Sequence, residues 1–63
     1  MSVTRINTFR AKEGLSNSLR EFLVSILPLI EQSPGCQSCQ LLQHHDNVNE
    51  FVIIEVWTSV AAH

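Results

Sequence analysis

The side chains able to do chemistry are few and spread along the chain: Asn7, Cys36 and Cys39, His44 and His45 beside Asp46, Trp57 and His63. An amide such as Asn7, set in an apolar pocket, can hydrogen-bond a phenol, an enolate or bound dioxygen and stabilise charge developing on oxygen. The indole of Trp57 offers an aromatic ligand a flat wall and one donor. His63 carries an imidazole whose ordinary pKa of about 6.5 suits a general base. Each has a structural alternative. A Trp at a strand end is usually core, an Asn in a strand can bond backbone, and a His in a first helical turn is commonly solvated or capping.

The cysteines form a CxxC. In redox enzymes that motif opens a helix, whose N-terminus lowers a thiol pKa. Here it follows Pro34-Gly35 and leads into strand-like sequence. Positions three apart on a strand face opposite sides, so the two thiols are expected to diverge. Cys36, Cys39, His44 and His45 have the right types to bind zinc, but a single strand cannot converge them tetrahedrally. The expectation is no metal and two buried, inert thiols. His44 and His45, with Asp46, are expected at a solvated hairpin tip.

The elements that must position these groups follow from periodicity. Residues 2–10 alternate, with Val3, Arg5, Asn7 and Phe9 on one face and Thr4, Ile6 and Thr8 on the other, which reads as a strand. Residues 11–14 are a polar break ending in Gly14. Over residues 15–32, Leu15, Leu19, Phe22, Leu23, Ile26 and Ile30 recur at steps of three and four, an apolar helical stripe. Ser16 or Ser18 is expected to cap it, with Ser18 and Glu21 as a capping box. Pro28 lies inside the stripe and predicts a kink or break near Ile26–Leu27, giving two short helices. Ser33-Pro34-Gly35 stops the helix.

Residues 36–44 and 50–57 read as strands joined by HDNVN, whose residues favour tight turns, so a hairpin is expected. In the second of these strands Phe51, Ile53, Glu55 and Trp57 share one face, and Val52, Ile54 and Val56 the other. Both faces are mostly apolar. One helix layer covers one of them, so something else must cover the second. Residues 58–63 read as the start of a further helix, capped by Thr58 or Ser59.

Length and composition bound the reading. Sixty-three residues allow one domain, and a chain of this size buries only about 60% of its unfolded surface. At 44% apolar and 16% charged it is globular rather than disordered. Small domains make up the shortfall with disulfides, metals or oligomers, and the third is favoured here. Four basic residues are scattered among six acids for a net charge of −2, so no basic patch exists to neutralise phosphates and nucleic acid is not expected. The longest apolar stretch, from Phe22 to Ile30, is far short of the roughly 20 residues that span a bilayer, so no membrane is expected either. The N-terminus lacks a signal-peptide core, which points to a cytoplasmic location with reduced thiols.

The run Pro34-Gly35-Cys36, the polar hairpin, Phe51 to Ser59 containing Glu55-Val56-Trp57, and then Ala61-Ala62-His63 together resemble the antibiotic biosynthesis monooxygenase (ABM) domain. The first strand with Asn7, followed by Gly14, is similar to that family's first strand and turn. The likeness spans residues 1–63 as a single domain, about two-thirds of the expected unit, without the end of the last helix or a fourth strand. It implies an α+β, ferredoxin-like fold that dimerises sheet to sheet into an α+β barrel. It also implies a cofactor-independent monooxygenase, using neither metal nor flavin, for a small aromatic or quinol substrate. On this reading Asn7, Trp57 and His63 form the catalytic set, Asn7 steadying an anion or peroxide against Trp57. Phe9, Phe22, Ile26 and Ile53 contact the substrate. The alternatives are a non-catalytic barrel that binds a small apolar ligand or acts as a scaffold, and a heme-degrading enzyme. In heme-degrading relatives an Asn on the first strand and a Trp on the third shape the pocket, and the iron ligand lies farther along the last helix than His63.

Overall fold

A computed structural model describes residues 2–58. The elements run β1 (Val3–Arg10), α1 (Ser16–Glu31), β2 (Cys36–Gln43) and β3 (Glu50–Trp57). The expected further helix falls on residues 58–63 and, apart from Thr58, lies outside the described residues. The sheet order is β1-β3-β2, with β3 antiparallel to both neighbours. The hairpin β2–β3 is as read, and α1 carries the chain from one edge strand to the other.

Two turns use glycine for its backbone freedom. Gly14, at φ 80°, is the third residue of a turn closed by Leu15 N–H donating to the Lys12 carbonyl at 2.9 Å. Nothing lies within 4 Å of where a Cβ would sit, so the backbone angle and not space selects glycine. In the second turn Pro34 fixes the second position and Gly35, at φ 88°, occupies the third, closed by Cys36 N–H to Ser33 O at 3.1 Å. Thr58 N–H then donates to Gly35 O at 2.8 Å, tying the end of β3 to this turn.

The helix departs from expectation at both ends of its reading. Leu15, not a serine, is the N-cap, and no side chain caps the start. The Gly14 turn delivers the chain one residue early, which puts Ser16 and Ser18 inside the first turn where their hydroxyls cannot reach back. Nor does Pro28 split the element: α1 runs through it to Glu31. Proline removes one donor, whose acceptor would be the carbonyl of Val24, and Val24 is exposed, so water can satisfy it. Beyond the proline the helix is held by Gln32 N–H to Pro28 O at 3.0 Å and Ser33 Oγ to Leu29 O at 2.9 Å.

Alternation on β3 is complete: Phe51, Ile53, Glu55 and Trp57 are buried and the residues between them half-buried. Leu23 of α1 closes over Phe51 and Ile53, and these three fully buried side chains are the centre of the core. Phe9, Leu19, Ile26, Leu27, Cys39 and Leu41 pack around them. At about 1.5–3 kcal/mol for each fully buried large side chain, a centre of three is small for a folded domain. On the other face of the sheet, Ile6 stands opposite Ile54 and Leu42 opposite Val52. No described element lies over that face, and Ile6 is 64% exposed.

Candidate active site

Asn7 and Trp57 come together on the helix-side face, and the group that joins them is Glu55. Trp57 and Glu55 are two apart on β3 and so project from the same side. Asn7 pairs with Ile53 across the β1–β3 ladder, which makes Glu55 its diagonal neighbour. Asn7 Nδ2 donates to Glu55 Oε2 at 3.2 Å, and Trp57 Nε1 donates to Glu55 Oε1 at 2.9 Å. Each carboxylate oxygen thus accepts one hydrogen bond. Glu55 is only 6% exposed, and a charge so placed is tolerable when its oxygens are bonded in this way. Arg5 stands directly opposite Glu55 in the ladder and shares its face.

Glu55 is the residue that the sequence reading missed. Its signal was an acid in an otherwise apolar row, Phe51, Ile53 and Trp57, on the side that a helix must cover.

The remaining expected site residues divide between core and rim. Ile53, at 1% exposed, lies beneath Leu23, and Phe9 and half-buried Ile26 pack against the same core. Phe22 is 59% exposed. At 100° per residue, Leu15, Phe22, Ile26 and Leu29 share one flank of α1, while Arg20, Val24 and Leu27 share the other. The second flank lines a cleft of about 300 Å³ with Leu41, Gln43 and Phe51, on the β2 side. The first flank therefore faces the β1 side, where Asn7 lies half-buried. α1 packs mainly on β2, which leaves the β1 half of this face the more open. His63 lies outside the described residues. The β2-side cleft contains none of the expected site residues and neither nucleophile nor base.

The cysteines correct an expectation. A β-bulge between Cys36 and Ser38 absorbs one residue, so Cys36 pairs with Trp57 and Cys39 with Glu55. Both thiols consequently sit in register with the helix-side row and do not diverge. Both are free. Burial, then the charge of Glu55, the neighbouring Cys36 and Glu31, push the Cys39 thiol above its usual range, which makes it a poor nucleophile. Among the described residues, no three His, Cys, Asp or Glu are grouped to hold a metal. His44, expected to be merely solvated, has a structural role: its Nδ1 accepts from Asp46 N–H at 3.0 Å and Asn47 N–H at 3.1 Å, which shapes the hairpin loop.

Comparison with known proteins agrees with this fold. The family profile described as "Antibiotic biosynthesis monooxygenase" matches residues 2–63. PA3566 from Pseudomonas aeruginosa is 29% identical with a TM-score of 0.87, over 94% of this chain and 60% of that one. Rv0793 from Mycobacterium tuberculosis is 26% identical with a TM-score of 0.87, over 98% of this chain and 62% of that one. SO0527 from Shewanella oneidensis, at 24% identity, shares the fold with a TM-score of 0.91, over 97% of this chain and 59% of that one. The chain thus spans about three-fifths of the length of these structures. Among curated proteins, none matches it. No described helix is long and apolar enough to cross a membrane.

Proposed function

This chain belongs to the antibiotic biosynthesis monooxygenase family, and from that premise we propose that it is part of a monooxygenase that oxidises a small aromatic or quinol substrate without metal or flavin. The observation that carries the reading is the Glu55 bridge, which ties a half-buried polar amide and a buried flat indole to one carboxylate on the helix-side face. An aromatic ring lying against the edge of the Trp57 indole, which is itself 5% exposed, would bring its oxygen substituent to Asn7, between the Phe9 end of β1 and the Phe22–Ile26 flank of α1. For a hydroquinone the balanced reaction is hydroquinone plus dioxygen to hydroxyquinone plus water. One oxygen atom enters the ring, the other leaves as water, and the substrate supplies all the electrons. His63 remains the proposed base. The outer face of the sheet, with Ile6, Val52, Ile54, Val56 and Leu42, is proposed to pair with a second copy of the chain, and the cytoplasm is the proposed location.

An oxygen electrode tests the activity: the wild type should consume dioxygen with hydroquinone, and Asn7→Ala should reduce the rate by about 10- to 100-fold, the range for losing one polar contact to a reacting group. Equal rates in the two proteins would refute the catalytic role of Asn7. One observation favours a second reading, a barrel that binds an apolar ligand or serves as a scaffold without turnover. Asn7 and Trp57 both donate internally to Glu55, as a purely structural pair would. A thermal shift with aromatic ligands and no substrate loss would select that reading.

A further inference from the structure

Glu55 does more than join two side chains, because the chemistry of a carboxylate decides which way the Asn7 amide points. An ionised carboxylate only accepts hydrogen bonds, whereas an amide has a donor end and an acceptor end. Asn7 must therefore turn Nδ2 toward Glu55 and Oδ1 away from it, as observed. The indole N–H, which can only donate, occupies the other carboxylate oxygen. No described group donates to Asn7 Oδ1, and the described residues contain no buried polar side-chain atom without a partner, so Oδ1 is reachable from outside.

We infer that Glu55 sets the polarity of this site, holding Asn7 Oδ1 outward as an acceptor so that the site selects aromatic ligands bearing a hydroxyl donor, phenols and hydroquinones, over their O-alkyl ethers. The inference rests on the reading that an aromatic ligand lies against Trp57 and Asn7. Glu55 acts here as a positioning residue, through Asn7 and Trp57. Its replacement by glutamine has a definite consequence. The indole N–H, which donates to residue 55 in the native chain, takes the Gln oxygen, which leaves the Gln amide nitrogen facing Asn7. Asn7 must then flip to offer its oxygen inward, which turns Nδ2 out. The site changes from acceptor to donor, and an ether oxygen becomes as acceptable as a hydroxyl.

The test is a calorimetric titration of the full chain, under nitrogen, with hydroquinone and with 1,4-dimethoxybenzene. Trp57 is the single Trp of the chain, so its emission reports occupancy beside the indole. The wild type should bind hydroquinone at least about tenfold more tightly than the ether, the usual penalty for leaving a buried acceptor unpaired. In Glu55→Gln, with far-UV circular dichroism unchanged, the ratio should fall to within about threefold. A wild type that takes both compounds equally overturns the inference, as does a Glu55→Gln protein that keeps the preference. Should Glu55→Gln fail to fold, Asn7→Ala decides: a preference that survives it overturns the inference, and one that disappears supports it. Binding of neither compound overturns both this inference and the reading beneath it. A preference without oxygen uptake refutes turnover alone, and uptake without a preference refutes this inference alone.

Discussion

Cys39 stands across the β2–β3 ladder from Glu55, and its thiol is pushed up first by burial and then by that negative charge. The consequence for stability has a fixed sign. A thiol whose folded pKa exceeds its unfolded value, 9.0 for the free side chain, keeps its full contribution below that pH and loses it as the pH rises through the folded value. Denaturant midpoints measured at pH 8 and at pH 10 should therefore fall at the higher pH, and Cys39→Ala should flatten that dependence. An identical slope in the variant would show that other groups carry it. None of this could be read from the CxxC spacing alone. Ideal strand geometry separates residues 36 and 39, and nothing in the residue types marks the bulge that brings them into register with one face. Asn7 and Trp57 were legible because their chemistry is particular. Glu55 was not singled out, since an acid in a strand looks the same whether it meets water or two donors.

At the scale of elements, α1 is the place where local preference and tertiary structure disagree. A proline in a helix interior is about 3 kcal/mol worse than alanine, yet α1 continues through Pro28 for three further residues. Packing overrides the local penalty. Ile26 and Leu27, just before the proline, are anchored on the Leu23–Phe51–Ile53 core. Pro28 itself is exposed, so replacing it removes no core contact. Pro28→Ala should raise the unfolding free energy by about 1–3 kcal/mol, read from urea denaturation with an unchanged m-value. No gain would mean that proline's stiffening of the unfolded chain offsets the helical penalty. The three strands and the helix were readable because periods of two and near 3.6 are direct consequences of how each element buries one side. Helix entry was not, because a backbone turn at Gly14 competed with two plausible serine caps and settled the boundary before any side chain could.

The whole chain presents one sheet face to α1 and leaves the other to be explained. Across that outer face Ile6, Ile54, Val52, Val56 and Leu42 form a continuous apolar row over all three strands, flanked by Thr4, Thr8, Ser38 and Gln40. Thr and Val at these positions suit a surface that packs against another sheet better than one meant for water. A stable dimer buries about 800 Å² per partner, roughly a sixth of the 4540 Å² that this chain exposes. Ile54 sits at the centre of the row, on the central strand, opposite Ile6 on one side and Gln40 on the other. Ile54→Asp should therefore convert a dimer into a monomer by light scattering. Glu13→Lys, in the exposed turn between β1 and α1, should leave the mass unchanged. A wild type that is already a folded monomer at micromolar concentration would remove the sheet-to-sheet assembly. The Glu55 bridge would survive that result, because it is built wholly within one chain on the opposite side of the sheet.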